Sequence, residues 1–284
     1  MKPLLIHLHL FYQDQWQMLT AKLAPALALP HELHVTMVEH NEEIEEDAKN
    51  VSPSAYVHIV PNRGFDIAPF LFVLSQVRLS RFSYIIKIHS KRNMPQGRRL
   101  GPYEIGGARW REYLLRFLER KNFERCINAF ENDQSLGMVA DFRLIQTTER
   151  YDLKAAKKAE NILYSLQLPI NVNKLHYVAG SMFMARTSIF APLMTKEWNP
   201  ADFDKHSQHH ITSLAHCLER AIGYIVGGQH YEIRDAFTAH VMLKKVASRF
   251  CSIIRHLFFY VKDTNDNIRI VKILGITVHK FPIP

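Results

Sequence analysis

Two clusters of polar and charged side chains each follow an apolar segment of the chain. Asn62, Arg63 and Asp66 come after the apolar run at 55–60, and His89, Lys91 and Arg92 come after the apolar run at 84–88. In open α/β sheets, ligands bind outside the carboxyl ends of the strands, where both clusters would lie. Amide, carboxylate and cationic groups together suit a polar, phosphorylated ligand. The sequence therefore predicts an active-site floor built from these six residues.

The elements that must position the clusters follow from the hydrophobic pattern. The near-continuous apolar runs at 55–60 and 84–88 predict strands buried on both faces of a parallel sheet. Gly64 is expected in the turn after the first strand, and Asp66 is expected to cap a helix that ends near Val77. The competing interpretation is an ordinary strand-to-helix turn with a capping Asp and a solvated Arg.

The rest of the chain repeats this alternation of strand and helix. Further strands are predicted at 4–10, 32–38, 136–140 and 177–185, and helices at 15–27, 110–118, 123–130, 152–166 and 211–222. The alternation predicts an α/β fold, a Rossmann-like, mostly parallel sheet with helices on both faces. Gly180 and Ser181 interrupt one strand where a ligand would approach the backbone, Gly223 is expected to end the last helix, and the Gly- and Pro-rich segment 93–107 is predicted to be a loop.

Composition limits the function classes. The net charge of +9 over 284 residues favours an anionic partner, which can be nucleic acid, a phosphorylated substrate or an acidic membrane surface. Cys126, Cys217 and Cys251 are far apart and form no CxxC pair, which predicts reduced thiols. No signal-peptide pattern opens the chain and no apolar run reaches the roughly 18 residues of a membrane span. We therefore expect a cytoplasmic protein, at most peripheral on the inner face of the membrane.

The pattern changes near residue 238, which predicts a domain at 1–238 and a basic extension at 239–284. Residues 244–262 contain five basic side chains and no acidic one, with an apolar face if the segment is helical. This pattern predicts an amphipathic helix at a membrane surface; a helix packed on the first domain is the alternative. A hairpin is predicted around Gly275, from strands at 268–274 and 276–281.

Five short motifs resemble, in order, those of the rhamnan synthesis protein F family. They are Asn62-Arg63-Gly64-Phe65-Asp66-Ile67-Ala68-Pro69-Phe70, Lys87-Ile88-His89-Ser90-Lys91, Trp110-Arg111, Gly180-Ser181-Met182-Phe183 and Leu218-Glu219-Arg220. The resemblance runs from about His7 to Gly223. It implies a GT-A-like glycosyltransferase of bacterial surface-polysaccharide assembly that uses a nucleotide-activated sugar, such as rhamnose or another deoxysugar.

The resemblance also raises the question of a metal. In GT-A enzymes the strand equivalent to 84–88 usually ends in Asp-x-Asp, which holds a divalent ion on the diphosphate, whereas this chain has His89-Ser90-Lys91 there. A lysine can neutralise a diphosphate as a fixed charge. We therefore predict no cofactor and no divalent metal, with Lys91 in place of the ion. The GxGxxG and GxxxxGK[ST] signatures are absent. A zinc site at His206, His209, His210 and His216 is disfavoured because no third ligand is evident.

Roles for the remaining residues follow from motif order. Glu219 is expected to act as the base toward the acceptor hydroxyl, with Asp66 as the competing carboxylate; an exposed Glu paired with a neighbouring cation is the alternative. Gly180, Ser181, Trp110 and Arg220 are assigned to the acceptor, and the first two clusters to the nucleotide-sugar. The expected acceptor is a lipid-linked glycan. A non-catalytic binding scaffold is the alternative function, and nucleic-acid binding has only the net charge in its favour.

Overall fold

The computed structural model describes residues 2–92, 98–100, 103–105, 107–147, 153–169, 176–204, 212–237, 259–263, 268–273 and 276–282. The chain divides into two compact units, Met1–Phe237 and Thr238–Pro284. Within the described residues, no helix combines the length and the apolar character that crossing a membrane requires.

Eleven strands are described in the first unit. They are β1 Leu4–His9, β2 His31–Met37, β3 Ala55–Ile59, β4 Tyr84–His89, β5 Arg98–Leu100, β6 Tyr103–Ile105, β7 Leu136–Val139, β8 Ile145–Thr147, β9 His176–Val178, β10 Phe183–Arg186 and β11 Glu232–Arg234. Seven of these form one sheet in the order β11-β7-β10-β4-β1-β2-β3. Its described pairs are parallel except where β10 runs antiparallel to β4 and β7. The predicted α/β fold with a mostly parallel sheet is confirmed.

Seven helices are described in the first unit. They are α1 Trp16–Leu27, α2 Glu42–Val51, α3 Ile67–Gln76, α4 Gly107–Leu115, α5 Arg120–Asn132, α6 Leu153–Ser165 and α7 Leu214–Gly228, with 3-10 turns at Gln13–Gln15, Leu79–Arg81, Arg116–Leu118, Thr187–Thr195 and Pro200–Asp202. The N-terminus of α7 is capped by Ser213, whose hydroxyl accepts from the His216 N–H. Side-chain caps of this kind satisfy amide groups that have no partner within the helix.

The two strands that precede the polar clusters, β3 and β4, differ in burial. All six residues of β4 are buried, as expected for a strand between two others. In β3, Tyr56 is 52% exposed and Ile59 is 49% exposed. The prediction that this strand is buried on both faces is wrong, because β3 pairs only with β2 and lies at the edge of the sheet.

Gly223 does not end α7, which continues to Gly228. A Cβ atom at position 223 would lie 2.3 Å from the His176 carbonyl oxygen and 2.5 Å from the Tyr177 Cα. Glycine is therefore required here because the helix packs directly on the backbone of β9. Gly223 is therefore a point of close contact between α7 and β9, and the prediction that it ends the helix is wrong.

Two segments have more regular structure than the sequence predicted. The run 177–185 forms two strands, since β9 pairs with β8 in a separate small sheet and β10 joins the central sheet. Gly180 and Ser181 form the connection between them. Within the predicted loop 93–107, β5 and β6 pair antiparallel as a short ribbon.

The second unit contains three described strands, β12 Phe259–Asp263, β13 Ile268–Ile273 and β14 Ile276–Pro282, paired antiparallel in that order. The pair of β13 and β14 is the hairpin predicted around Gly275. Residues 244–258 of the predicted basic helix at 244–262 lie outside the described residues. Its last residues, 259–262, belong to β12, so the helix prediction is wrong at that end. This unit's domain assignment and its membrane contact stay predictions.

Candidate active site

A cavity of about 320 Å³ opens where the central strands of the sheet end. Eight of the predicted site residues line it, namely Asn62, Asp66, His89, Lys91, Arg92, Gly180, Ser181 and Glu219. The connection between β9 and β10 reaches this edge because β10 is antiparallel and begins where β4 ends. The cavity therefore joins the turn after β3, the end of β4, the connection before β10 and one face of α7.

Asp66 is one of the residues that form the cavity floor. It stands directly before α3, and no hydrogen bond from its side chain caps that helix in the described structure. Its Oδ2 atom instead accepts short hydrogen bonds from the Lys87 ammonium and from the Ser181 hydroxyl. The side chain of Asp66 thus does not cap α3 as predicted. It links β4 to the connection before β10 instead.

Lys87 is the residue that the sequence reasoning missed as a site residue. Its side chain is fully buried, and its ammonium group also donates to the Ser181 carbonyl oxygen at 2.9 Å and to the Ser181 hydroxyl oxygen at 3.1 Å. The ammonium lies 5.4 Å from the centroid of the Phe70 ring and 5.9 Å from that of Phe183, which adds cation–π stabilisation. A lysine inside an otherwise apolar strand was the signal that could have identified it.

The Asp66 carboxyl is held ionised in spite of its burial. Burial alone would raise its pKa, because the charged form loses solvation. The basic groups of His89 and Lys87, with the hydrogen bonds from Lys87 and Ser181, outweigh that effect and hold the pKa of Asp66 well below its ordinary value. The floor of the cavity therefore contains a carboxylate and an ammonium group whose charges balance.

Three histidines next to this pair are kept neutral. Burial lowers the pKa of His9 and of His89 to about 4, and burial with the charge of Lys87 holds the pKa of His7 well below its ordinary value. The Thr36 hydroxyl lies 2.9 Å from His7 Nε2 and 3.0 Å from His9 Nδ1, and so connects the two rings. The sheet thus carries three uncharged imidazoles here, of which those of His9 and His89 line the cavity.

We expect these histidines to make the fold acid-sensitive between about pH 6.5 and pH 4. Their pKa values are lower in the folded chain than in the unfolded chain, so the unfolded chain binds more protons in this range and stability falls as the pH falls. Each group contributes at most about 1.4 kcal/mol per pH unit. Thermal unfolding at pH 7.5, 6 and 5 measures the effect. The His40→Gln variant, altered at an exposed histidine, should keep the wild-type slope, and a flat profile would contradict the prediction.

Gly180 and Ser181 adopt backbone conformations that bring their polar groups into the cavity. Gly180 has φ +85° and Ser181 has φ +48°, a left-handed value that is uncommon for a residue with a Cβ. The Glu219 carboxylate accepts a hydrogen bond from the Gly180 N–H at 2.7 Å. Two carboxylates therefore bind this two-residue connection, Glu219 at the Gly180 N–H and Asp66 at the Ser181 hydroxyl.

Two cations that line the cavity mouth each lie over an aromatic ring. The Lys91 ammonium lies 5.7 Å from the centroid of the Trp110 ring, and the Arg92 guanidinium lies 4.7 Å from that of Tyr12. Arg92 also approaches Asp14 at 3.5 Å, in a pair that is about 60% exposed on both sides. Additional lining comes from residues that the sequence reasoning did not select, namely His9, Phe11, Tyr12, Val38, Pro61, Phe65, Ile67, Ser90, Ala215 and His216.

Three predicted site residues do not line the cavity. Arg63 donates to the Phe203 carbonyl oxygen at 2.9 Å. Trp110 is buried at 1% exposure, and a Cβ atom at Gly180 would lie 3.1 Å from its ring. Arg220 is 4% exposed and donates to the His216 carbonyl oxygen at 2.9 Å. These three side chains are thus not among those that line the cavity, and their assignments to the donor and the acceptor stay predictions.

A protein site for a divalent ion needs several oxygen or nitrogen ligands close together. No group of three or more His, Cys, Asp or Glu side chains in the described ranges is close enough to hold one. One oxygen of Asp66 is already bound to Lys87 and Ser181, and Oε1 of Glu219 is bound to Gly180. His206, His209 and His210, from the disfavoured zinc cluster, lie outside the described residues. No step below depends on an ion.

Comparison with known proteins gives the family. The sequence model described as Rhamnan synthesis protein F matches residues 1–231. The chain belongs to the rhamnan synthesis protein F family. The predicted resemblance is thereby confirmed, over a slightly longer range than its motifs covered.

Two curated relatives share part of this region. They are the uncharacterised protein WxcX of Xanthomonas campestris pv. campestris strain B100 and its counterpart in a second strain, each 29% identical over 168 residues. The matched region is 58% of this chain and 23% of each relative. The chain thus spans about a quarter of the length of the curated relatives it matches.

Solved structures with detectable likeness include glucosyl-3-phosphoglycerate synthase from Mycobacterium tuberculosis. Its complex with Mn²⁺, UDP and glucosyl-3-phosphoglycerate is 10% identical, covers 99% of this chain and 90% of that chain, and has a TM-score of 0.37. Its complex with Mn²⁺ and UDP-glucose is 9% identical, covers 99% and 89%, and has a TM-score of 0.35.

The prediction of a site without a divalent metal is corrected by these structures. They contain Mn²⁺ together with UDP or UDP-glucose, and so contradict the expectation that Lys91 makes an ion unnecessary. Metal independence is not carried further.

Proposed function

We propose that this member of the rhamnan synthesis protein F family is a glycosyltransferase. It moves a sugar from a nucleotide diphosphate to a growing glycan in bacterial surface-polysaccharide synthesis. The single observation that supports this most is the composition of one cavity. Asp66 and Glu219 both line it and accept hydrogen bonds from the connection Gly180–Ser181, and the cations Lys91 and Arg92 lie at its mouth.

The mouth of the cavity suits the nucleotide diphosphate. Lys91 and Arg92 offer two positive charges to the diphosphate, and charge-assisted hydrogen bonds of this kind are among the strongest that proteins make. The contact of Arg92 with Asp14 is exposed, so exchanging it for a phosphate costs little. Phe11 and Tyr12 supply aromatic faces beside these cations, where a nucleobase can stack.

The transfer step needs one proton acceptor and one stabilised leaving group. The acceptor hydroxyl attacks the anomeric carbon of the donor sugar, and the bond from that carbon to the diphosphate oxygen breaks. Glu219 takes the hydroxyl proton, as a positioned carboxylate in general base catalysis does. Lys91 and Arg92 stabilise the negative charge on the departing diphosphate. Asn62 and Asp66 orient the donor.

The finer assignments rest on the family description. Rhamnose or another deoxysugar is the proposed donor sugar, since the family is described by rhamnan synthesis. A lipid-linked glycan is the proposed acceptor, and the basic segment 244–262 is proposed to contact the membrane that carries it. Because the curated relatives are much longer than this chain, the whole protein's acceptor and partners belong to the proposal as well.

A donor screen tests the function. The protein is incubated with UDP-glucose, GDP-mannose and dTDP-rhamnose, with and without Mn²⁺, and release of the nucleoside diphosphate is measured. We expect release from one donor class, with dTDP-rhamnose the first candidate. Binding without release, with or without a glycan acceptor, would favour a non-catalytic sugar-nucleotide-binding protein. The balanced Lys87–Asp66 pair is the feature that favours this second candidate.

A further inference from the structure

The most unusual side chain in the described structure is Lys87. It is fully buried and is absent from the cavity lining, although its strand ends at the cavity. An ammonium group has three donors, and all of them are accounted for by Asp66 Oδ2, the Ser181 carbonyl oxygen and the Ser181 hydroxyl oxygen. Lys87 therefore cannot act on a ligand directly, and its charge is not available to a diphosphate.

The carboxylate that Lys87 holds does face the cavity. The hydrogen bonds from Lys87 and Ser181 to Asp66 both end on Oδ2, and no described residue donates a hydrogen bond to Oδ1, which lies 3.8 Å from His89 Nε2. One oxygen is thus fixed and the other can accept from a ligand. Because the charges of Lys87 and Asp66 balance, this floor does not attract an anion. A carboxylate oxygen in a neutral setting is suited to accepting hydrogen bonds from hydroxyl groups.

We infer that Lys87 is a positioning residue that fixes Asp66 so that its Oδ1 atom accepts from the hydroxyl groups of the donor sugar, whereas the diphosphate binds separately at the mouth. The inference rests on the proposed function and adds to it a division of the cavity. The floor recognises the neutral sugar ring, and Lys91 with Arg92 recognises the phosphates.

Two costs at this place indicate a role beyond stability. A buried ion pair is commonly no more stabilising than an apolar pair of the same volume, because both charges lose their solvation. The left-handed backbone at Ser181 is a strained conformation for a residue other than glycine. Both features meet at Asp66 Oδ2, because Lys87 and Ser181 each donate a hydrogen bond to that atom. That coincidence is expected if the orientation of Asp66 matters for ligand binding.

Two substitutions test the division. Ser181→Ala removes one hydrogen bond to Asp66, and Lys87→Met removes the charge while keeping most of the volume. Each variant is titrated by calorimetry with dTDP, UDP and GDP and with dTDP-rhamnose, UDP-glucose and GDP-mannose. We expect affinity for the bound nucleotide-sugar to fall about tenfold or more, while affinity for its nucleoside diphosphate changes less than about twofold. Lys157→Met, on an exposed position of α6, is the matched control and should change neither affinity.

The pH profile separates positioning from general damage to the fold. Without Lys87, burial raises the pKa of Asp66, so the Lys87→Met variant should bind the nucleotide-sugar more tightly as the pH rises from 6 to 9, whereas the wild type should change little. The double variant Lys87→Met with Asp66→Asn should unfold at a higher temperature than Lys87→Met alone, because no buried carboxylate is left without its partner. If Lys87→Met does not fold, Ser181→Ala still carries the affinity comparison.

The outcomes are distinct. Parallel losses of nucleoside diphosphate and nucleotide-sugar affinity in Ser181→Ala or Lys87→Met would overturn the division of the cavity and leave the glycosyltransferase proposal standing. Unchanged nucleotide-sugar affinity in both variants would overturn the positioning role. A wild-type protein that binds none of the six compounds would overturn the proposed function, and this inference with it.

Discussion

Replacing Glu219 with glutamine is expected to lower the rate of sugar transfer about 10²–10⁴-fold, the usual contribution of a positioned general base. The amide oxygen can still accept from the Gly180 N–H, so the connection before β10 should keep its place. The amide cannot take a proton from the acceptor hydroxyl. Affinity for the nucleotide-sugar should therefore stay within about twofold, and kcat should carry the whole loss.

The measurement is a steady-state assay of Glu219→Gln with the donor identified by nucleotide release. Glu197→Gln is the matched control, since Glu197 is exposed and outside the cavity lining, and it should behave as the wild type. A rate for Glu219→Gln within a factor of three of the wild type would exclude Glu219 as the base. Asp66 would then be the remaining carboxylate of the cavity.

Replacing Lys91 with methionine is expected to weaken binding of the nucleoside diphosphate about 10–100-fold. The estimate follows from the roughly 1.5–3 kcal/mol of a hydrogen bond to a charged group. Methionine keeps an unbranched apolar side chain and removes the ammonium group, which lies over the Trp110 ring. The loss should shrink as salt rises from 50 to 500 mM, because the wild-type contact at the exposed mouth is screened and the variant lacks it.

Calorimetric titration with the nucleoside diphosphate checks this result. Lys154→Met, on an exposed position of α6, is the control for the loss of one positive charge from the whole protein. Equal affinities for Lys91→Met and the wild type would show that the diphosphate binds elsewhere. A loss of the same size in Lys154→Met would show a long-range effect of net charge.

The sequence was sufficient to place the residues that follow strands. Asn62, Asp66, His89, Lys91 and Arg92 stand directly after apolar runs, and the geometry of a parallel sheet brings such positions to one edge. All five line the cavity. Here the physical rule is strong, because the end of a strand fixes where the next residues lie without any knowledge of side-chain packing.

The direction of a side chain was much harder to predict. Arg63 directly follows the lining residue Asn62 yet donates to the Phe203 carbonyl oxygen, and Arg220 directly follows Glu219 on α7 yet is buried. On a helix, a step of one residue turns the side chain by about 100°, so a neighbour of a site residue generally faces elsewhere. Motif membership alone could not separate the cavity wall from the layer behind it.

Long-range pairing was beyond the reach of the sequence. Lys87 was read as part of an apolar strand, because nothing near it in the chain indicates a partner for a buried charge. Its partners, Asp66 and Ser181, lie 21 and 94 residues away. Gly223 was likewise read as a helix stop, since the β9 backbone that it contacts is distant in the chain.

The contact of Asp66 with Ser181 spans 115 residues, and this has a consequence for synthesis on the ribosome. The segment that forms β1 to β4 emerges well before residue 181 does. Until then the Lys87 ammonium lacks two of its three acceptors, and burying it would leave a charge without its full set of partners. We expect the nascent chain to keep this half of the sheet open and protease-sensitive. Compaction should follow only once the segment of β10 leaves the exit tunnel.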